Sequence, residues 1–326
     1  MFSVRRWLSA AAGGRAVARG GSAAARGGSA AGRGGSAAAR GGSGAVRGGR
    51  VPRIGELRTA RDVLQAHERH ALQMRPVDVS ICWSTLGKLV RQSREECEWM
   101  KAELRRSKAL APLLDSMLQK LPLFDPRSVA TAVYGLASVV SATRFAPDKG
   151  VWKALAAKSA DVAKELNPQG LANTANAFVK AKRPSPALLD VIAAEAAPRV
   201  RDFTPQNLAN TAWAYATAQH AAPALLDAIA AEVAARVRDF TPQNLANTAW
   251  AYATAQHAAP ALLDAIAAEA APRVRDFTTQ NLANTAWAYA TAQHAAPALL
   301  DAIAAEAAAR VRDFTPQGLA NTAWAY

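Results

Sequence analysis

Cysteine is nearly missing from this 326-residue chain. Cys82 and Cys97 are too few for a disulfide framework, and no set of partners accompanies them that would hold zinc. A reducing interior is the plain inference. Glycine is as scarce outside one stretch, since 15 of the 20 lie in residues 1–55. No run of consecutive apolar residues is long enough for a secretory core or a membrane span. The chain has no P-loop, no glycine-rich dinucleotide loop, no paired carboxylates and no Ser/His/Asp grouping. The five histidines are equally unpromising as ligands: His67 and His70 share one expected helix, and His220, His257 and His294 recur with a repeat. With no catalytic, metal or cofactor residue to name, the sequence reads as that of a non-enzyme that needs no cofactor.

What is present divides the chain by composition. Residues 1–55 hold ten arginines, no lysine and no acid, with Arg recurring every seven residues from Arg19 to Arg47. Gly and Ser at this density bury too little apolar surface to offset chain entropy, so disorder is expected. An Arg-rich, acid-free N-terminus beginning MFSVRRWLSA has the composition of an organellar transit peptide. The rival reading is an RGG-type RNA-binding tail. Phe2, Val4, Trp7 and Leu8 beside Arg5 and Arg6 favour targeting, to the mitochondrial matrix first and the chloroplast stroma second. Residues 56–201 carry 23 basic and 15 acidic residues, whereas the stretch beyond is slightly acidic, so the net charge of +14 is mostly the leader's.

A period of 37 residues organises the rest. Asp202, Asp239, Asp276 and Asp313 mark it, and TPQNLANTAWAYATAQH at 204–220 returns at 241–257 and, with Thr279 for proline, at 278–294. Periods of 20–50 residues signal stacked units that cannot bury their hydrophobic faces alone. Each unit reads as two helices. The first opens on a capping residue followed by proline, as in Asp125-Pro126, Asn167-Pro168, Thr204-Pro205, Thr241-Pro242 and Thr315-Pro316. The cap oxygen accepts an orphan amide, and proline at the first helical position loses no bond. The second helix starts near Pro186, Pro223, Pro260 and Pro297. Leu226, Ile229, Ala230 and Val233 form its core face, and a position that is proline in some units and alanine in others marks its end. The fold class expected is all-α: a solenoid of helical hairpins over 125–326, preceded by a divergent helical region at 56–124 with one degenerate copy at 78–90, and by the leader. The last unit stops inside a first helix, so the array reads as a fragment, with Trp324 and Tyr326 uncovered.

On the first helix of the 202–238 unit, Leu208, Ala209, Ala212, Trp213, Tyr215 and Ala216 form a broad apolar face. Gln206, Asn207, Asn210 and Thr217 share a remaining arc of roughly 100° that carries no charge, unlike an ordinary solvated helix face. Neutral amides offer donors and acceptors suited to reading the edges of exposed bases. The same letters also suit hydrogen bonds to adjacent units, and recent duplication alone would preserve them. Trp213 sits at the border, where packing between units is favoured over stacking on a base. Each close unit sums to −1, which is poor for holding phosphates.

The runs PQNLANTAWAYATA and PALLDAIAAE resemble the octotricopeptide-repeat family of organelle proteins and the related helical repeats of FAST-kinase-like and RNA-editing substrate-binding proteins. The resemblance covers roughly 125–326. It implies an α-solenoid that binds single-stranded organellar RNA and acts in transcript processing, stability or translation, beside other ribonucleoprotein components. By resemblance the base-facing residues are Gln206, Asn207, Asn210 and Thr217, with counterparts Gln243, Asn244, Asn247 and Thr254, then Gln280, Asn281, Asn284 and Thr291. The flanking units contribute Gln169 and Asn173 before them, and Gln317 and Asn321 after. Departures are Gly170 and Gly318 for the first Asn, Asn176 for the Trp and Lys180 for the Thr. Lys180, Lys182 and Arg183 are the phosphate candidates. The competing class is a protein-interaction scaffold without RNA.

Overall fold

The computed structural model describes residues 50–326. The disorder and targeting expected of the leader therefore lie outside the described residues, except for its last few, where Ile54 is buried in a short 3-10 turn. Fifteen α-helices and no strand occur among the described residues. The first four are α1 (Ala60–His70), α2 (Pro76–Gln92), α3 (Arg94–Arg106) and α4 (Ala111–Lys120). From there the helices come in pairs: α5 (Pro126–Thr143) with α6 (Lys149–Asp161), and α7 (Pro168–Lys180) with α8 (Pro186–Ala196). Next come α9 (Pro205–Ala218) with α10 (Pro223–Ala235), α11 (Pro242–Ala255) with α12 (Pro260–Ala270), and α13 (Thr279–Ala292) with α14 (Pro297–Ala309). Helix α15 (Pro316–Trp324) follows.

The expected solenoid is what forms. First helices α2, α5, α7, α9, α11, α13 and α15 stack in one unbroken row, and second helices α6 to α14 form a layer behind it. Alanine makes the row close: Ala209, Ala212 and Ala216 are all essentially inaccessible, so neighbouring backbones approach over small side chains. At the start of the row glycine takes this role. A Cβ on Gly135 of α5 would overlap the backbone of Trp83 in α2, and one on Gly87 would sit 2.7 Å from the Gly135 carbonyl oxygen.

The caps behave as their letters require. Thr204, Thr241, Thr278 and Thr315 accept the amide three residues on through Oγ1, at 3.2, 3.2, 3.1 and 3.0 Å. Asp125 and Asn167 do so through Oδ1 at 2.6 and 2.8 Å. The proline-or-alanine position also decides the second helix's end. Where it is Pro198 or Pro272, the α-helix stops at Ala196 or Ala270 and six residues of 3-10 helix follow. Where it is alanine, the α-helix runs on to Ala235 or Ala309 and only three residues are 3-10. A proline lacks the N–H that an α-helical turn needs there.

Leu226, Ile229 and Val233 are buried as expected. Leu225 is buried too, and Ala230 is half-buried. The second helix thus contacts both its own first helix and the next second helix, which widens its apolar stripe.

Candidate nucleic-acid interface

The four amide and hydroxyl positions of each first helix meet different environments. Gln169, Gln206, Gln243, Gln280 and Gln317 are exposed. Asn207 and Asn281 are buried, and Asn244 is half-buried. Asn173, Asn210, Asn247 and Asn321 are half-buried, and Asn284 is buried. Thr217, Thr254 and Thr291 are half-buried residues whose Oγ1 atoms are inaccessible and lack a hydrogen-bond partner. A helix flanked on both sides by other first helices has little free surface, which is why a wheel drawn on one isolated helix shows a wider polar face than the row leaves open. The glutamines, one position into the helix, escape this occlusion.

Tryptophan follows the packing reading. Trp250 is 2% exposed, and its ring stacks on that of Trp287 in the next unit at 6.4 Å between centroids. Trp213, in the unit before, meets a cation instead: the Lys180 ammonium lies 5.9 Å from its ring. Trp324 is 62% exposed. Lys180 stands where the three close units carry threonine. Burial first, and then the Arg91 guanidinium, holds its pKa below the ordinary lysine value. The residue as a whole keeps accessible surface, so crowding acts on the ammonium and not on the entire side chain. Lys182, in the left-handed region at φ 58°, and Arg183 follow in an exposed turn.

The joints between units use residues that the sequence did not mark as links: Tyr215 read only as part of the apolar face, and the recurring His, Asp and Arg had no role. Tyr215, Tyr252 and Tyr289 donate to the carbonyls of Leu189, Leu226 and Leu263 in the preceding unit at 2.6, 2.5 and 2.7 Å. His220, His257 and His294 meet Asp190, Asp227 and Asp264 one residue further along, at 2.7, 2.7 and 2.8 Å. Gln219, Gln256 and Gln293 adopt left-handed φ of 53°, 53° and 52° at the helix ends, turning the chain so that the histidine reaches its aspartate. At the other end of the unit, Arg236 donates to the Arg201 and Phe203 carbonyls at 3.1 and 2.8 Å and pairs with Glu232 at 3.0 Å. Arg199, Arg273 and Arg310 reach the joint ahead of their own unit's first helix in the same way, at Leu166, Phe240 and Phe277. The signal was available: each of these letters recurs at 37 residues, as strictly as the amides do.

Among the described residues no group of three His, Cys, Asp or Glu side chains gathers to hold a metal, and no helix is long and apolar enough to cross a membrane. Cys82 is buried with its thiol pushed up to about 12, chiefly by burial, which makes it inert.

A row of stacked helical hairpins with a regular array of neutral amides on one layer defines a helical-repeat solenoid. The chain belongs to the RNA-editing substrate-binding complex 6 protein family (RESC6), whose model matches residues 124–325. The match begins just before α5 and takes in every paired unit. No curated protein matches the chain.

Proposed function

We propose that this chain is an organellar single-stranded RNA-binding protein that acts in post-transcriptional RNA metabolism, alongside the other components of an RNA-editing assembly. The observation that carries the reading is the recurrence of an exposed glutamine and an asparagine, half-buried in all but α13, at the same two positions of successive stacked helices, in a chain of this family. Gln206, Gln243 and Gln280 supply donors and acceptors to solvent. Asn210 and Asn247 lie a turn further along, Asn284 beside them, and Thr217, Thr254 and Thr291 close the row. The wider kinship with octotricopeptide and FAST-kinase-like repeats rests on the same hairpin motif. An Arg-rich, acid-free N-terminus supports delivery to the mitochondrial matrix.

A second reading has an observation of its own. The close units carry no unpaired cation on the amide layer, and much of that layer is occluded, which suits a protein-binding scaffold. Fluorescence anisotropy of the four RNA homopolymers with the full chain separates the two. The same titrations are run on a variant whose ten leader arginines are replaced by glutamine. Because the three close units carry identical readers, selective binding of one homopolymer that survives loss of the leader charge is the expected result. No binding by either folded protein would leave the scaffold reading.

A further inference from the structure

Solenoids hold single strands by combining base contacts with cations that track the backbone, yet the first helices of the close units carry no lysine or arginine. The cations lie at the start of the first-helix row. Arg91 on α2 donates from Nη1 to the Tyr134 hydroxyl on α5 at 2.9 Å, with its guanidinium 5.5 Å from the ring centroid. Lys180 on α7 brings its ammonium 6.0 Å from the same ring and 5.9 Å from that of Trp213. Three successive first helices thus place two cations around one tyrosine. Both cationic residues are exposed, and so are Lys88, one turn before Arg91, and Lys182 and Arg183 beyond α7.

This cluster gathers two cations on one ring without a carboxylate. Three of the four joint arginines are neutralised by a carboxylate of their own helix: Arg236 by Glu232, Arg273 by Glu269 and Arg310 by Glu306, at 3.0, 2.5 and 3.2 Å. Among the described residues no carboxylate pairs with Arg91 or Lys180. Two like charges brought together without an anion repel, and that repulsion adds to burial in lowering the Lys180 pKa. An oxyanion between them would relieve it. Tyr134 accepts from Arg91, which leaves its own hydroxyl hydrogen free to donate outward.

We propose that Arg91, Tyr134 and Lys180 form a clamp for a phosphate oxyanion, and that on bound RNA it holds a backbone phosphodiester where the strand enters the row of amides. As a phosphodiester site the clamp rests on the RNA reading above. As an oxyanion site it does not. The guanidinium supplies a planar pair of donors, the ammonium a point charge, and the phenol a third donor. Trp213, held against Lys180, marks the step from this charged end to the neutral array.

The test is the salt dependence of RNA affinity for the full chain, as wild type and as R91Q/K180Q. A single strand releases about 0.7 counterion per neutralised phosphate charge. The double variant is therefore expected to bind with a log–log salt slope shallower by about 0.7, with the homopolymer preference kept. R91K/K180R, which retains both charges, is expected to return the slope. A purely structural role for Arg91 would lower the melting temperature and leave the slope alone. An unchanged slope in a folded double variant overturns the clamp. If R91Q/K180Q does not fold, K180Q alone is read, with half the change expected. If the wild type binds no RNA, the RNA reading fails, and a titration of inorganic pyrophosphate followed at the Lys180 Cε resonance decides the oxyanion site. A saturable shift that R91Q abolishes keeps it; no shift removes it.

Discussion

The phenol of Tyr252 donates to the carbonyl of Leu226 at 2.5 Å, across the joint between two repeats. Burial first, and then Asp227, pushes its ionisation far above the ordinary tyrosine range, so the folded chain keeps the proton that the unfolded chain releases near pH ~10. Stability is therefore lost as pH rises beyond that value. Tyr252→Phe is expected to cost about 0.5–1.5 kcal/mol near neutral pH and to remove part of the alkaline loss. Urea melts at neutral and alkaline pH check both.

Arg236 binds two carbonyls of the joint ahead of its unit's first helix, at Arg201 and Phe203, and one carboxylate of its own helix. Arg236→Gln leaves Glu232 without its cation and opens the joint at Arg201 and Phe203. A loss of about 1.5–3 kcal/mol is expected, as for hydrogen bonds to charged groups. Arg236→Lys keeps the charge without the fork and should fall between the two. Denaturant midpoints of the three proteins give the order.

Gly135 lies where α5 crosses α2 backbone to backbone. Gly135→Ala forces a methyl group into the Trp83 peptide, and rigid backbone is what would have to move. Despite alanine's better helix propensity, a loss of at least about 1–3 kcal/mol is expected. It should appear first as increased hydrogen exchange in α2.

His67 is buried on α1, and burial followed by the Lys120 ammonium lowers its pKa. A lowered value means that the unfolded chain takes up the proton first. The contribution is unopposed above the unfolded value of about 6.5 and falls away as pH drops through the folded value. His67→Phe is expected to flatten the acid side of the stability–pH curve, measured by thermal melts from neutral to mildly acidic pH. A wild type and variant with parallel acid limbs would contradict this.

The hairpin architecture was legible because its signals are local and repeated. A cap oxygen three residues before the amide it binds, a proline at the first helical position and a leucine–isoleucine–valine face need no knowledge of neighbours. The proline-or-alanine switch at 198, 235, 272 and 309 was legible for the same reason. What one helix could not disclose was its flanks. Asn207, Asn281 and Asn284 plot with Gln206 on a wheel, yet the row buries them. The Tyr–Leu, His–Asp and Arg–Phe links join residues 26, 30 and 33 apart. Those separations follow from how the hairpins stack, not from any single helix. The cluster at Arg91, Tyr134 and Lys180 draws on three helices, two of them in units where the repeated letters have diverged, so no recurrence marks those residues.

Base reading by the amide row is tested most directly at its most exposed member. Gln206, Gln243 and Gln280 touch solvent, so their replacement by alanine leaves the joints and the core in place. The measurement is anisotropy of the preferred RNA homopolymer with the full chain and with the triple variant, at near-physiological salt. The account predicts a loss of about 1–3 kcal/mol in discrimination between homopolymers, with circular dichroism unchanged. A triple variant that discriminates as well as the wild type would contradict it.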